Sequence, residues 1–278
     1  MKFTKMHGLG NDFILVLSEQ GLPERAPELA RQMCSRHFGI GGDGLVFVLP
    51  SERADVMMRI FNADGSEAEQ CGNAIRCVAK FAYDRGIAKR TELAVETIGA
   101  GVQNVTVTLA DGKVDAVRVD MGEPVLDGSK VPTALHKPQI IREPIAVKDR
   151  EFLFTAVSMG NPHCVIEVED AARFDVETWG PLLENHPWFP NRTNVEFITV
   201  KARDEVDMRV WERGAGITLA CGTGACAAVV ASSLAGKTGR SAVVHLPGGD
   251  LHIDWSEQDN HVYMTGPARE VFAGEWML

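Results

Sequence analysis

The chain repeats itself at an offset of 150 residues, and this internal repeat restricts its possible architecture more than any other feature. At least eleven residues between positions 10 and 99 recur without a gap, against about five expected by chance from ordinary composition. The matches cluster, since Met58-Arg59 recurs as Met208-Arg209 and Cys71-Gly72 recurs as Cys221-Gly222. Solenoid units have only ~20 to 50 residues, so this longer period predicts two similar lobes.

Composition excludes several classes of protein. The 278 residues are 45% hydrophobic and 24% charged, which is typical of a globular chain. A net charge of -10 argues against nucleic acid or anionic lipid as a partner. No apolar signal core or membrane segment is evident near the start, so the sequence predicts a cytoplasmic protein whose six cysteines are reduced thiols.

Each copy of the repeat shows the same order of elements. Apolar strand patterns (13–17, 45–49 and 56–61, then 164–168, 195–200 and 206–211) alternate with helical patterns near 26–36 and 175–184. A helix is expected after each Cys-Gly pair, followed by further strands (93–96, 102–109 and 114–119, then 242–246, 251–255 and 262–265). The proline-containing stretch 122–144 is the expected crossing between an N-terminal lobe, 1–121, and a C-terminal lobe, 122–265. The predicted class is therefore α/β (α+β), with a curved sheet around one central helix in each lobe.

The two repeated cysteines are the strongest candidates for chemistry. A thiolate is the reactive form, and the unpaired N–H groups at a helix start favour that anion. Cys71 and Cys221 precede predicted helices, and the neighbouring glycines allow close backbone approach. The alternative is that both are buried core thiols, which is the interpretation we adopt for Cys34, Cys77, Cys164 and Cys226.

Duplication of a thiol favours a reaction that needs two equivalent bases. Inversion at a carbon acid removes a proton from one face and delivers another to the opposite face. Two lobes with one sulfur each could supply a thiolate and a thiol that exchange roles. A hydrolytic triad needs a single nucleophile and no symmetry.

Three other patterns are weaker. The segment GIGGDG (39–44) matches a dinucleotide-binding fingerprint, but it follows a helical pattern and precedes a strand pattern, which is the reverse of the required order. The cysteine spacings do not form the paired C-x-x-C arrangement of a zinc site, so no metal is expected. His163 follows the repeated Gly160-Asn161 closely and is a candidate accessory residue, with a structural histidine as the alternative.

Six motifs resemble the diaminopimelate epimerase family, over essentially the whole chain. They are GLGNDF (8–13), FNADGS (61–66), QCGN (70–73), MGNPH (159–163), ERGAG (212–216) and ACGTGAC (220–226). The resemblance implies two pseudo-symmetric lobes, each a barrel-like, mainly antiparallel sheet around a helix, with segment 266–278 returning to the first lobe. It also implies a homodimer that uses neither pyridoxal phosphate nor metal.

In that family the matching cysteines, here Cys71 and Cys221, are the bases that interconvert LL- and meso-diaminopimelate in lysine and cell-wall precursor synthesis. The resemblance places substrate contacts on ten residues and makes His163 and Glu212 accessory groups. Those ten are Asn11, Asn62, Gly72, Asn73, Asn161, Asn194, Glu212, Arg213, Gly222 and Thr223. The chemistry suits a small diamino dicarboxylic acid, because Arg213 can bind a carboxylate and Glu212 an ammonium group.

Two positions depart from the family pattern. Gly44 stands where some members carry a glutamine at the substrate, and Ile217 where members often have a glutamate. The first departure predicts a missing or replaced substrate contact, and the second a missing polar contact behind the site.

Three other functions compete with the epimerase prediction. A related proline or hydroxyproline racemase would share the architecture, although Glu212 and Arg213 favour a substrate with a charged far end. A thiol-disulfide protein would cycle its sulfurs through a bridge that should inactivate an epimerase. A zinc-binding module would retain metal after purification.

Overall fold

The computed structural model describes residues 1–68 and 71–277. The chain divides into two compact units, the first formed by Met1–Asp120 with Thr265–Leu278 and the second by Met121–Met264. Gln70, the first residue of the QCGN motif, lies outside the described residues.

The first unit is built mainly of strands around one long helix. Its longer helix, Gly72–Asp84, packs against strands on several sides. In chain order its elements are β1 (Lys2–Gly8), β2 (Asn11–Leu17), α1 (Ala26–Met33), β3 (Gly44–Leu49), β4 (Val56–Asn62), β5 (Glu67–Ala68), α2 (Gly72–Asp84), β6 (Glu92–Thr97), β7 (Gly101–Ala110), β8 (Lys113–Asp120) and, at the end of the chain, β18 (Arg269–Glu275), which pairs antiparallel with β1.

The second unit has the same plan. Its long helix α4 packs against β10, β11, β12, β13, β15 and β16. The elements are β9 (Glu143–Val147), β10 (Arg150–Ser158), β11 (Pro162–Glu167), α3 (Val176–Glu184), β12 (Asn194–Ala202), β13 (Glu205–Glu212), β14 (Gly216–Thr218), α4 (Gly222–Leu234), β15 (Ser241–Leu246), β16 (Gly249–Trp255) and β17 (Val262–Pro267), whose last residues belong to the first unit.

The sheet register repeats with the same 150-residue offset as the sequence. In the first unit β2 and β3 are parallel, with Phe13 opposite Gly44. In the second unit β11 and β12 are parallel, with His163 opposite Asn194. The two long helices begin at Gly72 and Gly222, directly after Cys71 and Cys221, as the repeat predicts. Equivalent sequence positions are therefore equivalent positions in the two units.

Each unit encloses its own apolar core. In the first unit, Phe47 and Leu45 of β3 pack with residues of α1. In the second unit, Phe197 and Phe154 pack with residues of α3. Helix α4 is buried at nearly every position because its residues are small and apolar all round, which confirms the prediction of a helix enclosed by strands.

The structure differs from the predicted elements in two respects. Helix α1 ends at Met33 instead of continuing to 36, because the Met33 carbonyl accepts hydrogen bonds from the N–H groups of Ile40 and Gly41 and the chain turns back. Strands β1, β5, β9, β10 and β14 were not predicted. The sequence of β1 has no continuous apolar run, and it is a strand because it pairs with both β2 and β18.

Over the residues that the structure describes, no helix has the length and apolar character needed to cross a membrane.

Substitution of Phe197 tests how much the core of the second unit contributes to stability, because this side chain is fully buried. We expect Phe197→Ala to lower the free energy of unfolding by about 3–5 kcal/mol, since it removes a large apolar group and leaves a cavity. Leu153→Ala on β10, where the side chain is 40% exposed, is the matched control and should change stability by less than about 0.5 kcal/mol. Urea unfolding followed by circular dichroism measures both, and equal effects would contradict this account of the core.

Candidate active site

Cys71 occupies the position immediately before helix α2. Its backbone is extended, with φ of −152° and ψ of 114°, and its carbonyl accepts the first helical hydrogen bond from Ile75 N–H at 3.0 Å. The thiol is half-buried, and Sγ lies 3.8 Å from the Asn11 Oδ1 atom. Asn73 donates from Nδ2 to the same oxygen at 3.1 Å. The structure therefore brings the predicted site residues Asn11, Cys71 and Asn73 together.

The amide of Asn11 is held in one orientation by a carboxylate that the sequence analysis did not select. Asn11 donates from Nδ2 to Asp43 Oδ2 at 2.7 Å, and Asp43 also accepts a hydrogen bond from Arg36 at 2.7 Å. Because a carboxylate only accepts, Asn11 must turn its NH2 toward Asp43 and its oxygen toward Cys71.

Asp12 joins the same network from the side of the core. Burial would raise the pKa of Asp12, but hydrogen bonds from Arg36 and Lys5 outweigh it and hold that pKa well below its usual range. The Lys5 ammonium group lies 2.6 Å from the Asp12 carboxylate. Asp12 is therefore a structural anion that anchors the loop carrying Asp43.

The glycine-rich loop 39–44 supports this network and does not cradle a phosphate. The N–H groups of residues 39–43 all donate to carbonyls of the chain itself, at 2.8–3.1 Å. A phosphate cradle needs such groups to point at the ligand. Gly44 sits opposite Asn62 in the sheet, and a Cβ at Gly44 would lie 3.1 Å from the Phe61 carbonyl oxygen, so this strand position is tightly filled without a side chain.

Asn62 makes its described side-chain hydrogen bond with Ser66. Its backbone N–H donates to the Ser66 carbonyl and its Nδ2 donates to the Ser66 hydroxyl at 3.0 Å, which closes the turn after β4. In this structure the described bonds of Asn62 are those of a turn residue, and its role in binding stays a prediction.

Cys221 occupies the equivalent position before helix α4 but is more deeply buried, with 5% of its surface exposed. Burial raises the pKa of its thiol well above the usual value, and the Glu212 and Glu196 carboxylates raise it further. Hydrogen bonds from the Thr223 hydroxyl and the Gly224 N–H act in the opposite direction. Without a ligand, this sulfur is therefore held as a thiol.

Glu212 lies at the end of β13, close to that sulfur. Burial raises its pKa, and hydrogen bonds from Thr218 and from the Cys221 thiol oppose the rise. The Thr218 hydroxyl donates directly to Glu212, so this carboxylate has a polar partner from the residue next to Ile217. Ile217 itself is 36% exposed.

Asn194 and Arg213 are joined through the backbone. Arg213 N–H donates to Asn194 Oδ1 at 2.9 Å, and Asn194 Nδ2 donates to the Pro162 carbonyl at 2.9 Å. Glu184 of α3, which the sequence analysis missed, accepts from Gly214 N–H at 2.9 Å and holds the turn that carries Arg213. The guanidinium group makes only a 3.4 Å contact to the Asn191 carbonyl among its described contacts. It can therefore turn toward an anion at little cost.

A chain of hydrogen bonds runs from the Cys221 sulfur into the core. Thr223 Oγ1 lies 3.6 Å from Cys221 Sγ and 3.3 Å from Asn161 Nδ2, from which it accepts. Asn161 Oδ1 lies 3.0 Å from His163 Nε2, and His163 Nδ1 lies 2.7 Å from Glu196 Oε1. The predicted residues Asn161, His163 and Thr223 thus belong to one network, and Glu196 is an additional member.

The other cysteines lie in the cores. Burial raises the pKa of Cys34 and of Cys77 to about 12 and raises that of Cys164 well above its usual value. Cys226 is also buried. In the part of the chain that the structure describes, no group of three or more His, Cys, Asp or Glu side chains could hold a metal ion.

Solved structures with the same fold cover the whole chain. A Bacillus anthracis phenazine biosynthesis protein of the PhzF family is 17% identical, with a TM-score of 0.71, and the match covers 100% of this chain and 99% of that chain. A hydroxyproline epimerase from Agrobacterium vitis is 17% identical, with a TM-score of 0.70, covering 99% and 90%. The predicted fold class, a sheet-dominated α+β fold of two lobes, is confirmed by these neighbours.

Proteins found by sequence comparison are much more similar to this chain than these solved structures are. A diaminopimelate epimerase from Pelotomaculum thermopropionicum is 59% identical, over 99% of this chain and 99% of that protein. One from Moorella thermoacetica is 56% identical over 100% of both, and one from Methanococcus maripaludis is 54% identical over 99% of both. The family model described as diaminopimelate epimerase matches residues 3–126 and 155–271. The chain therefore belongs to the diaminopimelate epimerase family.

Proposed function

We propose that the protein interconverts LL- and meso-diaminopimelate by proton exchange between two thiols at the α-carbon. The observation that carries the proposal is the pair of cysteines at repeat-equivalent helix starts, Cys71 before α2 and Cys221 before α4. The named activity of relatives at 54–59% identity supports the substrate.

Inversion of an α-carbon needs a base on one face and an acid on the other. One cysteine as thiolate would remove the α-proton, and the other as thiol would deliver its own proton to the planar carbanion. After one turnover the two sulfurs have exchanged protonation states, so the reverse reaction uses the same pair. The proposal requires that both sulfurs reach one α-carbon from opposite faces.

The carbanion needs electrostatic stabilisation. Each cysteine directly precedes a helix, and the N–H groups of the first helical turn form the positive end of the helix dipole. We propose that the backbone at Gly72-Asn73 and Gly222-Thr223 binds the reacting carboxylate and stabilises the negative charge that develops beside it.

The high pKa of the Cys221 thiol suits the group that delivers a proton to the carbanion. Glu212 would connect that pKa to substrate binding. The Glu212 carboxylate raises the pKa of the Cys221 thiol. An α-ammonium group bound by Glu212 would offset that negative charge and would lower the pKa of Cys221 toward the working range. Substrate binding would thereby make Cys221 competent for proton transfer in both directions.

Arg213 and the asparagines would bind the remaining carboxylate and ammonium groups of a diamino dicarboxylic acid. A guanidinium group binds a carboxylate through two parallel hydrogen bonds. The amides of Asn11, Asn62, Asn161 and Asn194 would supply donors to carboxylates and acceptors to ammonium groups. The family resemblance also predicts a homodimer, and the sequence analysis predicts a cytoplasmic location; both belong to this proposal.

The first prediction tests the two-thiol reaction. With LL-diaminopimelate in D2O, we expect deuterium at the α-carbon of the meso product, detected by mass spectrometry. Cys71→Ala and Cys221→Ala should each lower kcat by about 10²–10⁴-fold, because each removes one proton-transfer group.

Cys77→Ala and Cys226→Ala are the matched controls, because each removes a buried thiol from the same two helices. Both should keep most of the activity. Inversion at close to the wild-type rate in either Cys71→Ala or Cys221→Ala would contradict the mechanism, and equal turnover of proline would contradict the proposed substrate.

The second prediction concerns the effect of Glu212 on Cys221. Removal of a neighbouring negative charge favours the thiolate, so Glu212→Gln should move the pH midpoint for alkylation of Cys221 downward. Iodoacetamide labelling between pH 7 and 11, resolved by peptide mass spectrometry, measures the midpoint. Glu205→Gln on the same strand is the control and should leave the midpoint unchanged. An upward or absent shift in Glu212→Gln would refute the assigned cause.

The third prediction concerns carboxylate binding. Arg213→Met should raise KM for diaminopimelate by about 10–100-fold, because a charge-assisted hydrogen bond is worth about 1.5–3 kcal/mol. Arg209→Met on β13 removes an arginine whose described contact is a 3.5 Å hydrogen bond to the Ala172 carbonyl, and it should leave KM within about twofold. Steady-state kinetics of both variants give the comparison, and similar KM values would exclude Arg213 as the carboxylate ligand.

A further inference from the structure

The two copies of the repeat differ at three buried positions beside the cysteines. The first unit has apolar residues at all three, and the second has a histidine, a glutamate and a glycine. The equivalent pairs are Phe13 and His163, Val46 and Glu196, and Ala74 and Gly224. The first unit shows that this fold can fill the three positions without any charge, so the polar set in the second unit is not required for folding.

Burial of the polar pair His163 and Glu196 also costs free energy of folding. His163 and Glu196 are both completely buried, and Glu196 Oε2 has no hydrogen-bond partner among the described residues. A buried ion pair often stabilises less than apolar residues of similar volume. A Cβ at Gly224 would lie 2.8 Å from Glu196 Oε1 and 3.2 Å from Cys221 Sγ, so the glycine makes room for the carboxylate directly beneath the sulfur.

The pair controls the direction of the hydrogen bonds that lead to Cys221. The structure presents the Asn161 Oδ1 atom to His163 Nε2 at 3.0 Å, while His163 Nδ1 lies against the Glu196 carboxylate, and an amide oxygen can only accept a hydrogen bond. His163 Nε2 therefore donates to Asn161 Oδ1, and Asn161 must turn its NH2 toward Thr223. Thr223 Oγ1 accepts this hydrogen bond from Asn161, so the Thr223 hydroxyl can donate its own hydrogen to the Cys221 sulfur.

We infer that Glu196 is a positioning residue for the Cys221 half of the site. Through His163 it fixes the amide of Asn161, and through Asn161 it keeps the Thr223 hydroxyl as a donor to the sulfur. The inference rests on the proposed function, because it concerns the thiol that exchanges the proton. The first unit uses a different device, in which Asp43 binds Asn11 directly.

Two effects of Glu196 on Cys221 have opposite signs and can be separated. The charged groups that face the sulfur are Glu212 of β13 and Glu196 of β12, with His163 of β11 behind them. Through its negative charge Glu196 raises the pKa of Cys221, so loss of that charge by itself would lower the pKa. If keeping Thr223 as a donor is the larger effect, removal of Glu196 raises that pKa, because the thiolate loses a hydrogen bond.

The test transfers the residues of the first unit into the second. Glu196→Val with Gly224→Ala reproduces the Val46–Ala74 combination and fills the space left by the carboxylate. We expect alkylation of Cys221 by iodoacetamide at pH 8 to slow about tenfold, which corresponds to one hydrogen bond to a charged group. Alkylation of Cys71 in the same sample should not change. The epimerase kcat should also fall about tenfold.

A second arm checks the route through Thr223. Thr223→Val alone should slow Cys221 alkylation similarly, and the Glu196→Val/Gly224→Ala change should add nothing in that background. Glu167→Gln, a carboxylate on β11 that pairs with Arg142 and Lys237, is the matched control and should leave both rates unchanged. Faster or unchanged alkylation of Cys221, or additive effects with Thr223→Val, would overturn the inference.

The labelling assay requires no substrate, so it is independent of the proposed reaction. A wild-type protein that fails to invert diaminopimelate would refute the function and leave the labelling result intact. If the doubly substituted protein does not fold, as judged by circular dichroism, Glu196→Gln replaces it because it preserves the shape of the side chain. The expected result is again slower labelling of Cys221, and faster or unchanged labelling would again overturn the inference.

Discussion

A sulfur atom at the first turn of an enclosed helix is the arrangement on which the rest of this structure depends. The N–H groups and the dipole at a helix start favour a thiolate, whereas burial favours the neutral thiol. Cys71 is half-buried, and Cys221 is almost completely buried beside Glu212. The balance between these opposing effects, set separately in each unit, decides which sulfur holds a proton and when it can move.

The duplicated frame has diverged around the two sulfurs. The equivalent asparagines present opposite ends of their amides, since Asn11 turns its oxygen toward Cys71 and Asn161 turns its NH2 toward Thr223. A different carboxylate orients each amide, Asp43 directly and Glu196 through His163. Two half-sites with the same backbone therefore surround their thiols with different polarity. This difference suits a substrate whose two faces are not equivalent.

Much of this organisation could be predicted from local sequence. The repeat predicted the two similar units, and the glycines after Cys71 and Cys221 predicted where the helices begin. The small residues of α4 predicted a helix enclosed by strands. Strand β1 could not be predicted in the same way, because it is stabilised by β18 from the other end of the chain. The role of Asp43 was missed because it lies within a glycine-rich segment. Glu196 could have been noticed, because it is a charged residue inside the otherwise apolar run 195–200.

By itself the sequence determined that two cysteines stand at equivalent helix starts and how the candidate polar residues are distributed around them, because periodicity, glycine placement and duplication can be read along the chain. Only the tertiary structure decided how those residues are polarised. The direction of an amide, the exposure of a thiol and the pKa of Cys221 depend on groups from β11, β12, β13 and α4, which are brought together by folding. Hydrogen bonding and desolvation act over a few ångströms of space, and separation along the chain does not reveal them.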